Sequence, residues 1–203
     1  MLGALIFLCL MAGTAFAAPV VRNGSFEEDR YTTAPGLARD NGGIITGWNY
    51  TGNAGINPVW KAPSTQQRGE SPFYDNGAIP HGKQLALIQG PGSLSQVISG
   101  FEAGKRYALE FYENGRVQHQ GTQWPRVKVT LGGEEIVSPH EVSPVTERDN
   151  YEVPFYRVVS APFTAPGNGD FELVIATVQE SRTTTLLLDA VRIIELPAED
   201  IKT

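Results

Sequence analysis

Beyond residue 17, no long stretch of this chain has the three-and-four apolar spacing of an amphipathic helix. Short apolar runs are instead cut by turn formers, 22 glycines and 14 prolines in 203 residues. That punctuation is the pattern of an all-β sandwich or barrel, in which short strands alternate with tight turns. The clearest strand is RYALEFYENGR. Tyr107, Leu109 and Phe111 fall on one face, and Ala108, Glu110, Tyr112, Asn114 and Arg116 on the other. PRVKVTL alternates in the same way, while FELVIATV and TTTLLLDAVRII are apolar on both faces, as in strands near the middle of a closed sandwich. KQLALIQ and SLSQVIS read as an antiparallel pair across the turn GPG. Strands are predicted near 20–27, 44–50, 84–89, 93–98, 105–115, 125–131, 154–163, 170–179 and 183–195. Residues 28–43, 61–83 and 138–153 read as long loops, which on an all-β domain tend to carry function.

The first seventeen residues stand apart. MLGALIFLCLMAGTAFA has the apolar block and the Ala15-Phe16-Ala17 cleavage signature of a signal peptide, although no Lys or Arg precedes the block. The expected organisation is a leader at 1–17, one domain at 18–196 and a tail at 197–203, with secretion to an extracellular or periplasmic space. The leader holds Cys9, the only cysteine, so the remaining chain has no disulfide to staple it and depends on its core or on a metal. A net charge of −6 without a Lys/Arg cluster argues against a nucleic-acid partner, and no second apolar segment points to a membrane.

Asp189 poses a local problem. It sits inside TTTLLLDAVRII among leucines, valine and isoleucines, where a lone carboxylate costs several kcal/mol unless something pairs with it. Arg22, Arg192 and backbone amides are candidate partners; so is a cation. An ordered series of segments bears on the choice: NGSFEE, then ITGW, HGKQLALIQGPGSLSQVISGFEAGKRYALEFYENGR, PFYRVVSAPFTA and TTTLLLDAVRI. The series resembles the galactose-binding-like jelly rolls, especially the carbohydrate-binding modules of the family 4, 9 and 22 type and related secreted cell-wall domains. The resemblance implies a two-sheet antiparallel β-sandwich that binds a polysaccharide or glycan. It also implies a structural calcium tying the first strand to the last, held here by Glu27 and Asp189. Calcium takes six to eight oxygens, so backbone carbonyls would complete the set, with the loop from Asp40 to Gly43 as one source.

Sugar recognition needs flat apolar rings and planar polar groups. Glu110, Tyr112, Asn114 and Arg116 lie two residues apart on one strand face and would line a groove if that face is the concave one; the plainer alternative is a solvated, ion-paired sheet face. Arg157 could reach the same groove or pair with Glu110. Trp60, Trp124 and Tyr74 stand in or beside proline-containing loops, where a large ring either meets ligand or covers the sandwich. Trp48 reads as core and Gln96 as a satisfied framework amide. Catalysis finds little support: His81, His119 and His140 have no metal-ligand spacing, and no Gly-x-Ser-x-Gly elbow occurs. The expectation is therefore a secreted, calcium-stabilised, non-catalytic carbohydrate-binding domain. A structural or adhesive surface domain and a polysaccharide-active enzyme are the alternatives.

Overall fold

The computed structural model describes residues 17–57, 73, 76–116, 123–145, 150–178 and 183–198. Among these lie eleven strands: β1 (Asn49–Asn57), β2 (Asn76–Ala78), β3 (Leu85–Phe101), β4 (Arg106–Gly115), β5 (Arg126–Leu131), β6 (Glu134–Glu141), β7 (Asn150–Pro154), β8 (Tyr156–Val159), β9 (Phe163–Thr164), β10 (Gly169–Thr177) and β11 (Thr185–Leu196). The only helical piece among them is a single 3-10 turn at Ala38–Asp40. None of the described helices is long and apolar enough to cross a membrane.

Nine strands form one hydrogen-bonded sheet in the order β6-β5-β10-β3-β11-β4-β8, with β1 also paired to β3 and β9 to β4. The sheet curls into two layers because β3 belongs to both. Its first half pairs with β11 through Leu87 and Ile88, and its second half pairs with β10 from Gly92 to Phe101. This antiparallel sandwich is the architecture read from the sequence, with one correction. The segment GPG is a bend within a single seventeen-residue strand, not a hairpin turn. Gly90 takes a φ of +69°, and the partner strand β1 shifts register between Gly52 and Asn53 to follow the bend. Gly52 must be glycine there, since a Cβ would lie 2.2 Å from the carbonyl of Pro91. The Thr177 hydroxyl accepts the Gly92 N–H at 2.9 Å and donates to the Gly90 carbonyl at 2.7 Å, replacing ladder bonds that the bend breaks.

Alternation decides what is buried. Leu109 and Phe111 of β4, Val127 and Val129 of β5, Leu173 and Ile175 of β10, and Leu186 and Leu188 of β11 all point between the layers. Each such side chain contributes about 1.5–3 kcal/mol by leaving water. One end is filled by aromatic rings, with Phe101 edge-on to Tyr107 and Phe171 at centroid distances of 5.1 and 5.4 Å.

The segment predicted as a strand near 20–27 is not one. Asn23 and Phe26 have φ of 48° and 58°, which breaks an extended path. The segment is held by side chains instead: Gln96 accepts the Arg22 N–H at 2.7 Å and donates to the carbonyls of Arg22 and Gly47. Phe26 packs on Trp48, whose indole donates to the Asn23 carbonyl at 3.1 Å. Trp48 and Gln96 thus have the framework roles that the sequence assigns them. The N–H of Val191 donates to the Gly24 carbonyl at 2.8 Å, so the opening segment does lie beside the last strand. The segment 138–153, read as a loop, carries the end of β6 and all but the last residue of β7.

Candidate functional site

The face of β3, β11 and β4 turned away from the main core carries a second apolar cluster. Leu85, Leu87 and Leu187 form its floor, Leu37, Phe73 and Phe155 complete it, and Ile79 and Tyr112 pack at its rim. Register sets this layout: Leu187 lies opposite Leu87 on one side and Asn114 on the other, and Asp189 lies beside Tyr112. Tyr112 also lines a cleft of about 380 Å³ whose walls include Ser25, Pro80, His81, Glu110 and Arg192. The site therefore grades from apolar at Leu187 to charged at Glu110 within a few residues along two strands.

At the charged end, Glu110 is only 1% exposed. Arg192 donates to its Oε1 through Nε at 2.9 Å and Nη2 at 2.6 Å, and Arg157 donates to Oε2. Burial alone would raise its pKa, but the two guanidiniums outweigh burial and hold the carboxyl below the usual carboxylate range. Tyr112 lies directly opposite Arg157 in the pairing of β4 with β8, beside the same network. Arg192 stays in reach because the strand bulges between Asp189 and Arg192, with Ala190 at a φ of 51°.

The predicted strip divides. Asn114 is fully buried; it donates to the Asn76 carbonyl and accepts the Val145 N–H at 3.0 Å, so its amide is used by the framework. The Arg116 guanidinium stacks over the Phe73 ring, 5.3 Å from its centroid. Trp124 is half-buried just before β5 and is not among the residues of the cleft. Trp60 and Tyr74 lie outside the described residues. The structure thus brings together Glu110, Tyr112 and Arg157, with Arg116 and Asn114 at the far end of the same face.

Asp189 and Glu27 meet across one turn. The N–H of His81 donates to Asp189 Oδ2 at 2.7 Å, and those of Lys83 and Gln84 donate to Glu27 Oε1, both at 2.7 Å. Gly82, between them, has a φ of +68°, and a Cβ there would lie 2.4 Å from Glu27 Oε1. The turn 81–84 thus holds both carboxylates through its backbone N–H groups. Asp189 is fully buried, and burial pushes its pKa up to about 8, with the Glu27 charge adding to the rise. Arg192 is spent on Glu110 and Arg22 on Glu28, which leaves Asp189 with backbone N–H groups and a like charge. Two adjacent carboxylates, one of them shut off from water, suit a hard cation. Among the described residues no group of three or more His, Cys, Asp and Glu side chains could hold a metal, so backbone oxygens would have to complete such a site.

Two features escape sequence reasoning. Glu113, at 4% exposure, pairs with His140 of β6 at 2.7 Å, although His140 reads from sequence as a loop residue. Asn76, in a segment read as loop, is fully buried against the end of β4. Charge alternation could have flagged Glu113, which falls on the core side of its strand; nothing local marks Asn76.

Fold and site together define a curled antiparallel β-sandwich with an open cleft on one sheet. The sequence matches the HpiC1-like family, described as HpiC1 cyclase, over residues 17–193, and the chain belongs to this family. A cyclase from Fischerella sp. TAU, solved in complex with 4-(1H-indol-3-yl)butan-2-one, superposes with a TM-score of 0.62 at 18% identity, covering 91% of this chain and 100% of that one. The CBM22-1 xylan-binding domain of Paenibacillus barcinonensis Xyn10C superposes at 0.51 with 13% identity, covering 92% and 100%. At these identities both likenesses speak for the fold alone. No curated protein matches. The family corrects the non-catalytic reading. That reading rested on missing nucleophiles and metal spacings, and ring closure within one molecule requires neither.

Proposed function

We propose that this chain is a ring-closing enzyme acting on a flat, largely apolar small molecule bound in the cleft lined by Tyr112, Pro80, His81, Glu110 and Arg192. The observation that carries the reading is the junction at Tyr112, which packs on a buried apolar cluster set apart from the main core and also lines the polar cleft. Intramolecular ring closure is an isomerisation: a σ bond forms at the expense of a π bond, with no atoms gained or lost. An enzyme promotes it by folding the substrate into a reactive shape, excluding water and placing polar groups where charge develops. The apolar parts of the cleft wall, Pro80, Ala190 and Val191, serve the first two tasks. Tyr112 and His81, both on the cleft wall, are the groups that face a substrate there.

Polysaccharide recognition is the second reading, and its support is the fold. The local geometry favours the first: Glu110 and Asn114 are buried and committed to internal partners, so they have little left for sugar hydroxyls. Calcium at Glu27 and Asp189 and export of the chain are further parts of the proposal. The cation rests on the unpaired carboxylates and export on the leader-like residues 1–17.

The test is direct. Purified protein is titrated with 4-(1H-indol-3-yl)butan-2-one and, separately, with xylan and mixed cell-wall glycans. It is also incubated with aromatic substrates carrying an unsaturated side chain, and products of unchanged mass but altered retention are sought. Binding of the ketone, with Tyr112→Phe lowering turnover by about tenfold or more, supports the enzyme reading. Glycan binding without either result overturns it.

A further inference from the structure

On a regular strand successive side chains point to opposite faces, yet Ala190, Val191 and Arg192 all line one cleft. The bulge between Asp189 and Arg192 makes this possible, with Ala190 at a φ of 51°, a backbone state that a residue with a Cβ rarely takes. Bulges re-aim side chains, and the one re-aimed here is Arg192, set opposite Glu110 of β4. The pairing with Glu110 uses one edge of the guanidinium. Nε and Nη2 both donate to Glu110 Oε1, at 2.9 and 2.6 Å, which takes two of the five N–H groups. The other edge, Nη1 with the second hydrogen of Nη2, meets no partner among the described residues, and the side chain is 64% exposed.

Arg157 neutralises Glu110 through the other oxygen, so two guanidiniums and one carboxylate leave one positive charge in excess. Glu110 also fixes the Arg192 plane, which holds the free edge in place before anything binds. Ser25 adds a neutral donor. The Val191 N–H bonds the Gly24 carbonyl at 2.8 Å, which brings Ser25 to the wall that holds Arg192, and the Ser25 hydroxyl bonds none of the described residues. We propose that the Arg192 end of the cleft is a subsite for a carboxylate carried on an otherwise flat, apolar molecule. A carboxylate meets the free edge through two parallel N–H···O bonds, and its single charge equals the excess. Pro80, Ala190, Val191 and the Tyr112 ring take the apolar part. The net charge of −6 gives no long-range pull on an anion, so recognition depends on this local fork. The proposal rests on the small-molecule reading above and narrows its substrate class to acids.

Two matched probes separate the subsite from the cleft. 3-(1H-Indol-3-yl)propanoate has the skeleton of 4-(1H-indol-3-yl)butan-2-one with a carboxylate oxygen in place of the terminal methyl. The full chain is titrated with each near neutral pH. Wild type is expected to bind the acid more tightly by roughly tenfold, the yield of hydrogen bonds to a charged group. That margin should shrink as salt is raised, because the guanidinium is exposed. Arg192→Lys keeps a cation for Glu110 but has no fork, so it should bind the two probes alike with its affinity for the ketone unchanged. A margin that survives in Arg192→Lys assigns the acid to another cation and overturns the subsite. Should that variant melt early, Ser25→Ala, which breaks no ion pair, reads the same place by a severalfold loss of the margin, and no loss there overturns the subsite. Glucuronate carries its carboxylate on a polar ring and should bind far more weakly than the indole acid; equal or tighter binding puts an acidic sugar in the cleft and overturns the proposal. Equal binding of the two indole probes by wild type overturns the subsite and leaves the cleft standing; binding of neither overturns both.

Discussion

Glu110 and Asp189 are both buried carboxylates on adjacent strands, and the molecule treats them oppositely. Glu110 has one guanidinium on each oxygen and is held ionised despite its burial. Asp189 has only two backbone N–H groups, with a second carboxylate nearby that makes matters worse. A buried charge with matched partners is a framework element: it orders Arg157 and Arg192. A buried charge without them is an incomplete one, tolerable only if neutralised or joined by a cation. The contrast separates the part of the cleft wall that the chain builds alone from the part that asks for something from solution.

The largest expected effect comes from completing the second carboxylate. Calcium added to chelated protein should raise stability by about 4 kcal/mol when its free concentration is some thousandfold above its dissociation constant. Thermal unfolding with and without chelator reads this directly. The gain should shrink at acid pH. A carboxyl held at about 8 is neutral well below that value, so protons and the cation compete for Asp189. Asp189→Asn should remove the calcium response and leave a calcium-insensitive protein. A wild-type melting curve indifferent to both chelator and calcium would break the comparison, and Asp189 would then stand as a neutral acid held by amides alone.

The complementary change is Glu110→Gln. It leaves two guanidiniums sharing one neutral amide, and the expected loss is about 2 kcal/mol; the loss is limited because the Arg157 and Arg192 side chains are 55% and 64% exposed and can turn to water. Urea unfolding measures the loss. Turnover should fall as well, because Glu110 and Arg192 line the cleft, whereas calcium stabilisation should persist. Loss of the calcium response in this variant would mean that the two carboxylates form one unit and not two.

Much of this contrast was readable in the chain, and the unread part has physical causes. Strict alternation in RYALEFYENGR fixed which side chains of β4 share a face, and the apolar run around Asp189 announced a buried charge in need of a partner. Alternation reports direction, not depth. It put Glu110 and Asn114 on an outward face without revealing that loops cover that face and consume both side chains. The bend at Gly90–Gly92 looked like a hairpin because its residues are turn residues, and only the Thr177 hydroxyl, 85 residues away, lets the strand continue. The turn at 81–84 that bridges Glu27 and Asp189 lies 56 residues from the first and 108 from the second, a distance no local pattern spans. Enzymatic function was invisible for a different reason: a ring-closing site built from shape and a few polar groups has no nucleophile motif to find.

A third buried carboxylate, intermediate between the other two, gives the smallest and sharpest test. Glu113 has one partner, His140, on Oε1, while its Oε2 is buried with none among the described residues. Burial raises its pKa above 4.5 in spite of the imidazole, and the bonds to Ser138 and Glu113 raise that of His140 above 6.5 in spite of burial. Both groups therefore bind protons more tightly in the folded chain than in the unfolded one. Their contribution is fully present below about pH 4.5 for the acid and about 6.5 for the imidazole, and it is lost as pH rises through their higher folded values. Stability should thus decline as pH rises from the acid range through neutrality, with both groups contributing. In Glu113→Gln the amide keeps an acceptor for His140 and supplies a donor on the unpartnered side, so urea midpoints across that range should flatten. The measurement belongs in saturating calcium, where Asp189 no longer titrates over the same interval. A slope that survives the substitution would assign the pH dependence to the Asp189 site, and would make that carboxylate the only one of the three whose charge the fold leaves unsettled.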